Sequence, residues 1–254
     1  MGGHYATLNP EAVIKQPFFD AICVGEGEEA VVDFLDQLAR GERPAGINNL
    51  WIKNGTAGSA DRYAQAPFIQ DLDSLPFTDR SLWDDWVSDK SRMHSILVGR
   101  GCPNKCTYCS NHALCKTGTG KYVRFRSPEN IVLELTQIAK AYPEVQSVYL
   151  ETETLSVNLP YLFKLCKALE DYNAGLSRPL SIVTNLSMTA KIIGNKDLFE
   201  ALKRANFNFI NVGLESGSER VRNEILRRPK YTNEEIACCG SELSLRHWQS
   251  NMGN

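Results

Sequence analysis

The sequence predicts an α/β fold built around a parallel sheet, and two patterns support this prediction. From residue 95 onward, short apolar segments of strand length alternate with longer amphipathic segments of helix length. Such alternation is typical of βαβ units with right-handed crossovers. Polar or reactive residues follow each apolar segment, and in α/β barrels that end of the strands holds the active site. We therefore expect a barrel or open barrel over residues 95–236.

The first of these strands leads into a loop that carries three closely spaced cysteines. Ser95-Ile-Leu-Val98 is largely apolar, and the glycines at 99 and 101 allow a tight turn after it. The loop then shows a C-x3-C-x2-C pattern formed by Cys102, Cys106 and Cys109. Close-spaced cysteine thiolates hold iron–sulfur clusters. Three thiolates on one loop would hold three corners of a cubane cluster and leave the fourth iron open for chemistry.

The other cysteines leave a second metal hypothesis open. A zinc site could recruit Cys115 or His112 as its fourth ligand, which would make the chain a zinc-binding interaction module. Uneven cysteine spacing argues against a disulfide framework and favours a reducing compartment, the cytoplasm. Cys23 and Cys166 are predicted to be buried apolar positions.

The remaining barrel elements follow the cysteine loop. Ser127 and Pro128 fit the cap and first turn of a helix that runs to about residue 141. The later segments predict strands at 145–150, 180–184 and 207–214, and helices at 159–172, 197–205 and 218–226. Counting the cysteine strand, only the first four β/α units are recognisable.

Polar residues at the ends of these strands are the candidate ligand contacts. They are Glu151 and Glu153 after the second strand, Thr184 and Asn185 at the third, and Glu215 and Ser216 after the fourth. Glu151 and Glu153 are expected on one side of an extended chain, because side chains alternate. A carboxylate at a buried strand end requires a ligand or an arginine partner.

Several of these motifs resemble one known family. Cys102-Pro-Asn-Lys-Cys106-Thr-Tyr-Cys109 resembles the cluster loop of the radical S-adenosylmethionine superfamily, with Tyr108 in the aromatic place. Val212-Gly-Leu-Glu215-Ser-Gly-Ser218 resembles its strand-four signature, and the stretch from Arg124 to Glu129 resembles its R-x-R-S-P-E segment. The resemblance implies a partial (β/α) barrel of radical S-adenosylmethionine type.

The resemblance also implies a cofactor and an activity. The three cysteines would bind a [4Fe-4S] cluster whose open iron chelates S-adenosylmethionine. The expected cofactor contacts are Tyr108 at the adenine, Glu151 and Glu153 at the ammonium group, Thr184 and Asn185 at the strand end, and Glu215 and Ser216 at the ribose or methionyl part. The implied reaction is reductive cleavage to a 5′-deoxyadenosyl radical, for methyl transfer or cyclisation on an unactivated carbon. It requires an external one-electron reductant, such as flavodoxin or ferredoxin, and a small-molecule substrate.

Five arginines outside the cysteine loop have competing interpretations. Arg124 and Arg126 would either offset the negative charge of a cluster or pair with an acid on the following helix. Arg222, Arg227 and Arg228 are expected on the solvated face of the last helix.

Residues 1–70 resemble the C-terminal remnant of a flavodoxin-like cobalamin-binding domain. The resemblance lies in Gly2-Gly-His4 and in Gly25-Glu-Gly-Glu28. The family's D-x-H-x-x-G motif, which supplies the lower histidine ligand, is expected upstream of residue 1. Cobalamin is therefore expected only in a longer parent protein, and His4 as a turn residue. A helix at 28–40 is predicted to pack through Ala30, Val31, Phe34, Leu35 and Leu38.

Two segments fall outside these domains. Residues 71–94 read as a linker with apolar anchors at Leu72, Leu75, Phe77, Leu82, Trp83 and Trp86. Residues 237–254 lose the alternating pattern, which predicts an aberrant or disordered tail from a truncated or frame-shifted gene product. An inactive fragment of such an enzyme is therefore an alternative to an active one.

The composition and the apolar pattern argue against two classes of binding partner, nucleic acids and membranes. A net charge of −2 at pH 7 gives no bulk electrostatic reason to expect nucleic-acid binding. No apolar stretch approaches the length of a membrane span.

Overall fold

The computed structural model describes residues 1–55, 59–87, 89 and 93–242. The chain forms two compact units. The N-terminal unit comprises Met1–Gln70 together with Tyr108–Tyr122. The sheet unit comprises Asp71–Thr107 and the chain from Val123 onward.

The N-terminal unit is a small antiparallel sheet with short helices. Its strands, in spatial order, are β1 (Ala21–Cys23), β2 (Leu50–Asn54) and β3 (Ser59–Arg62). Its helices are α1 (His4–Leu8), α2 (Pro10–Ile14), α3 (Glu28–Ala39) and α4 (Asn111–Leu114). His4 is exposed and begins α1, so it is not the turn residue that we expected.

Helix α3 packs through a narrower stripe than the sequence predicts. Ala30 is buried and Phe34 packs beside it. The other predicted packing residues, Val31, Leu35 and Leu38, are exposed. The prediction is wrong for these three residues, because the apolar cluster of this unit contacts α3 only at Ala30 and Phe34.

The loop Gly25-Glu-Gly-Glu28 has a structural role in this unit. Gly25 adopts a left-handed φ of 105°, which glycine tolerates without steric penalty, and its N–H donates to the Thr7 hydroxyl at 3.1 Å. The Glu26 carboxylate accepts the N–H of Ile69 at 2.8 Å, and its carbonyl accepts from the Asn49 amide at 2.7 Å. These bonds connect the loop to distant parts of the same unit.

The sheet unit contains the predicted α/β alternation. Its four parallel strands, in spatial order, are β4 (Met93–Leu97), β7 (Ser147–Glu151), β8 (Ser181–Leu186) and β9 (Phe207–Val212). The connecting helices are α5 (Pro128–Ala141), α6 (Leu159–Ala174) and α7 (Lys196–Arg204). A two-stranded ribbon of β5 (Gly99–Arg100) and β6 (Arg124–Phe125) follows β4. Within the described residues the parallel sheet stays open and forms no closed barrel.

One face of the parallel sheet is sealed by the helices. Ile96, Val148, Leu150 and Ile182 belong to a single hydrophobic core with the buried residues of the helices. Side chains that alternate with them, such as Tyr149, are only half buried. Ser127 caps α5 as predicted, since its hydroxyl accepts the N–H of Asn130 at 3.1 Å.

The chain after β9 is helical over residues 219–225, close to the predicted helix at 218–226. A π-turn spans Val221–Ile225, and a further helix, α8, spans Asn233–Glu242. Helix α8 extends six residues into the segment 237–254, for which the sequence predicts an aberrant or disordered tail. Residues 243–254 lie outside the described part of the chain. None of the described helices is long and apolar enough to cross a membrane.

The linker packs through fewer anchors than predicted. Leu72 is buried, whereas Leu82, Trp83 and Trp86 are exposed, so the prediction is wrong for these three residues. Residues 88 and 90–92 lie outside the described residues. Polar contacts contribute to the attachment instead, because the Asp73 carboxylate accepts the N–H of Ser127 at 2.9 Å.

A buried ion-pair network attaches the linker to the sheet unit. The Glu134 carboxylate on α5 pairs with Arg80 at 2.6 Å and with Arg126 at 2.5 Å. Both guanidinium groups also donate to carbonyls of β4, Arg80 to Ser95 at 2.6 Å and Arg126 to Leu97 at 2.8 Å. Arg126 therefore pairs with the helix acid, one of the two interpretations left open.

We expect Glu134→Gln to lower the free energy of unfolding by about 3 kcal/mol, because it leaves two guanidinium groups with too little negative charge in a buried site. Urea denaturation followed by circular dichroism measures the change. Asp171→Asn, which breaks only the exposed pair with Lys167, is the matched control and should leave the unfolding midpoint unchanged. Equal stability of Glu134→Gln and the control would contradict the expectation.

Candidate functional site

The first part of the cysteine loop is anchored at both ends within the sheet unit. At its start, the Gly101 N–H donates to the Glu153 carboxylate at 3.0 Å, just beyond β7. At its end, Thr107 donates its N–H to the Leu226 carbonyl at 3.0 Å and its hydroxyl to the Ile225 carbonyl at 2.9 Å. Residues 102–106 are therefore held between chain segments that follow the second and fourth parallel strands.

The cysteines differ in environment. Cys106 is buried, and Cys102 and Cys109 are half buried. The Cys115 thiol donates to the His112 carbonyl at 3.2 Å. Cys166 is buried in the core, as predicted, and this burial raises its thiol pKa to about 12. A thiol with such a pKa is a poor metal ligand at neutral pH, because the thiolate is the ligating form.

Cys109 accepts two N–H groups from one neighbouring residue. The backbone N–H and the side-chain amide of Asn111 lie 3.5 and 3.7 Å from the Cys109 sulfur. The other end of that amide is occupied, because the Tyr122 hydroxyl donates to Asn111 Oδ1 at 2.6 Å. A sulfur that accepts two N–H donors is suited to carry the negative charge of a metal-bound thiolate.

The arrangement of donors differs from that of a single-ion site. In the described part of the chain, no three His, Cys, Asp or Glu side chains surround one position that could hold a metal ion. Zinc requires its ligands around one ion, whereas each cysteine of a cubane cluster binds a different iron. The sulfur donors of the loop, with N–H groups directed at Cys109, have the chemistry that an iron–sulfur cluster requires, although sulfur-only sets also bind zinc.

The two carboxylates at the end of β7 and just after it lie on one side of the chain, as predicted. Glu151 and Glu153 are exposed, whereas Thr152 between them and Thr154 are buried. The Glu153 carboxylate accepts from the cysteine loop, and the Glu151 carbonyl accepts the N–H of Val98 at 2.8 Å. Glu151 is the more accessible of the two carboxylates for a ligand, since one Glu153 oxygen is already bonded.

Thr184 and Asn185 lie on opposite faces of β8. Thr184 is fully buried on the helix-covered face, and its hydroxyl donates to the Leu150 carbonyl at 2.9 Å. Asn185 is half buried on the other face, opposite Asn211 of β9. Because its hydroxyl is engaged within the core, Thr184 is not available to a ligand, and only Asn185 remains a candidate.

Glu215 is exposed and not buried as the sequence predicted, but it still pairs with an arginine. Arg228 donates from Nη1 to the Glu215 carboxylate at 3.0 Å and from Nη2 to the Gly213 carbonyl at 2.8 Å. Glu215 adopts a left-handed φ of 62°, an uncommon conformation that is often found at functional sites. A Cβ at position 213 would lie 2.6 Å from Glu215 Oε1, so a side chain there would displace the carboxylate from its present position.

Arg222 and Arg228 are structural residues that the sequence prediction placed in solvent. Arg222 is fully buried and donates to the Ser216 carbonyl at 2.7 Å and to Asn233 Oδ1 at 2.6 Å. Its guanidinium also lies over the Tyr231 ring, 4.9 Å from the centroid. Arg222 therefore links the loop after β9 to the start of α8, and only Arg227 is exposed as predicted.

Two further candidates are accessible. Ser216 is half buried, and its hydroxyl accepts the N–H of Ser218 at 3.2 Å, which leaves the hydroxyl proton for a ligand. Tyr108 is exposed within the cysteine loop. Both remain predicted cofactor contacts.

Sequence comparison identifies the family. Residues 96–238 match the profile of the Radical SAM superfamily, and the chain belongs to this superfamily. It is 26% identical to an uncharacterized methyltransferase of Pyrococcus horikoshii over 224 residues, covering 87% of this chain and 46% of that protein. It is 23% identical to the anaerobic magnesium-protoporphyrin IX monomethyl ester cyclase of Rubrivivax gelatinosus over 229 residues, covering 86% of this chain and 39% of that protein.

Solved structures share the fold at low identity. The cobalamin-dependent S-adenosylmethionine radical enzyme OxsB superposes with a TM-score of 0.72 at 15% identity, over 96% of this chain and 34% of that one. The radical S-adenosylmethionine methyltransferase TsrM from Kitasatospora setae superposes with a TM-score of 0.68 at 15% identity, over 95% of this chain and 47% of that one. The chain thus spans less than half the length of these relatives.

We expect Arg222→Met to lower the free energy of unfolding by about 3 kcal/mol, because it leaves buried acceptors of a charged donor without their partner. Equilibrium urea denaturation measures the loss. Arg220→Met makes the same change at an exposed neighbouring position and should leave stability unchanged. If both variants unfold at the same urea concentration, Arg222 does not hold this part of the chain together.

Proposed function

We propose that the chain is the S-adenosylmethionine-cleaving part of a radical enzyme that carries out methyl transfer or cyclisation on an unactivated carbon. The observation that carries the proposal is the C-x3-C-x2-C loop at the carboxyl end of a parallel strand, within a region that matches the superfamily profile. The curated relatives include a methyltransferase and a cyclase, which defines the two reaction classes.

In this proposal the cluster is bound through Cys102, Cys106 and Cys109. When bound, such a cluster would supply one electron, obtained from an external reductant, for cleavage of the sulfonium C–S bond of S-adenosylmethionine into methionine and a 5′-deoxyadenosyl radical. The chain's own residues bind and orient the cofactor.

The accessible polar groups suit the two ends of S-adenosylmethionine. Glu151 would accept from the ammonium group, a charge-assisted bond stronger than a neutral one. Asn185, Glu215 and Ser216 would contact the ribose or methionyl part, and Tyr108 the adenine. Arg228 acts as a positioning residue, because it holds the Glu215 carboxylate in place.

The remaining parts of the proposal concern partners. The reductant is a flavodoxin or a ferredoxin, the substrate is a small molecule, and the location is the cytoplasm, where thiols stay reduced. Residues 1–70 belong to a cobalamin-binding domain of a longer protein, and residues 71–94 connect it to the radical domain at 95–236. Cobalamin would bind only in that longer protein.

Anaerobic reconstitution with iron and sulfide should give a brown protein, with about four irons per chain if the cluster is a full cubane. We expect Cys106→Ala to abolish this colour and Cys115→Ala to retain it, because only Cys106 belongs to the three-cysteine pattern. Absorbance and metal analysis measure both. A colourless protein loaded with zinc, or equal loss in both variants, would contradict the cluster and support the zinc module.

The reduced, reconstituted chain should convert S-adenosylmethionine to 5′-deoxyadenosine, measured by liquid chromatography. An intact cluster without this product would identify the chain as an inactive fragment.

Glu215→Gln should weaken S-adenosylmethionine binding about tenfold or more, because a charge-assisted contact contributes about 1.5–3 kcal/mol. Calorimetry of the reconstituted protein measures the dissociation constant, and iron content verifies that the cluster is retained. Glu224→Gln, an exposed carboxylate in the π-turn, is the matched control and should bind as the wild type does. Unchanged affinity in Glu215→Gln would remove Glu215 from the cofactor site.

A further inference from the structure

We propose that Asn111 is a positioning residue that raises the reduction potential of a cluster bound through Cys109, and that Tyr122 fixes the orientation of Asn111. This inference rests on the proposed function, since it requires the cluster. It assigns a role to two residues that lie outside the cysteine pattern and that sequence reasoning did not select.

The geometry directs two donors of Asn111 at one sulfur. Its backbone N–H and its side-chain amide lie 3.5 and 3.7 Å from Cys109 Sγ, lengths suited to the large radius of sulfur. Because the residue is buried, water competes little for these donors.

Tyr122 determines which end of the Asn111 amide faces the sulfur. An asparagine amide carries an acceptor oxygen at one end and two donor hydrogens at the other. The Tyr122 hydroxyl donates to Asn111 Oδ1 at 2.6 Å, so the NH₂ end is directed at Cys109. The Tyr122 ring packs against Phe68, with the ring centroids 5.2 Å apart, which restrains the tyrosine in turn.

The electrostatic consequence has a definite sign. Reduction adds one negative charge to a cluster, and part of that charge lies on the cysteine sulfurs. N–H donors therefore stabilise the reduced form more than the oxidised form and raise the reduction potential. A raised potential makes it easier for a cytoplasmic reductant to load the electron.

The test is a redox titration of the anaerobically reconstituted full chain, monitored by electron paramagnetic resonance. The variants are Asn111→Leu, which keeps the branched shape but removes the amide, Tyr122→Phe, which removes only the hydroxyl, and the double variant. Asn208→Leu is the control, the same change at an exposed position of β9. Iron and sulfide content is measured for every sample.

We expect the midpoint potential to fall in Asn111→Leu and to fall by less in Tyr122→Phe, so that each variant is less than half reduced at the wild-type midpoint. The double variant should match Asn111→Leu, because Tyr122 acts only through Asn111. The control should keep the wild-type potential.

Unchanged midpoints in Asn111→Leu and Tyr122→Phe, with a cluster present, would overturn this inference and leave the proposed function intact. If the wild-type chain takes up no cluster, the proposed function and this inference both fail. If Asn111→Leu alone takes up no cluster, the midpoint potential of Tyr122→Phe decides the test. A lower midpoint potential would support the inference, and an unchanged one would overturn it.

Discussion

The alternation of side chains along the parallel strands is the constraint on which the site depends. One face of the sheet is sealed by α5, α6 and α7, and its residues are committed to the core. Every second residue is thereby directed to the open face, and at the carboxyl ends these residues are polar. The same rule buries Thr184 while leaving Asn185 half exposed, so adjacent polar residues have different roles. The cysteine loop begins at this edge and is held there by bonds from Gly101 and Thr107.

Buried and half-buried guanidinium groups stabilise the loops and the linker. Arg126 and Arg80 share the Glu134 carboxylate and attach the linker to β4 and α5, whereas Arg222 and Arg228 organise the chain after β9. Each arginine makes several bonds in a fixed planar geometry, which lysine does not reproduce. Removing one partner of such a group is costly because a buried charge is left behind. These arginines therefore stabilise the linker and the chain after β9, and the chain after β9 includes candidate site residues.

In the N-terminal unit, the glycine-containing loop at residues 25–28 has a structural role. The Gly25-Glu-Gly-Glu28 loop is bonded to Thr7, Asn49 and Ile69 in its own unit. Its helix α3 keeps an exposed apolar stripe because the small antiparallel sheet covers only part of the helix. The resemblance of this segment to a cobalamin-binding domain stays a prediction, and its observed contacts explain the glycines by backbone geometry alone.

The sequence by itself determined the α/β alternation, the cap of α5, the shared side of Glu151 and Glu153 and the superfamily, because these depend on local periodicity and on short motifs. Only the tertiary structure decided the partners of the arginines, which face of β8 is buried, and the Tyr122 bond that orients Asn111. Helix propensity and charge gave no sign that Arg222 and Arg228 are buried, because their partners lie on other elements. The exposed aromatic rings of Trp83 and Trp86 were missed for the same reason, since burial depends on which surfaces meet and not on the side chain itself.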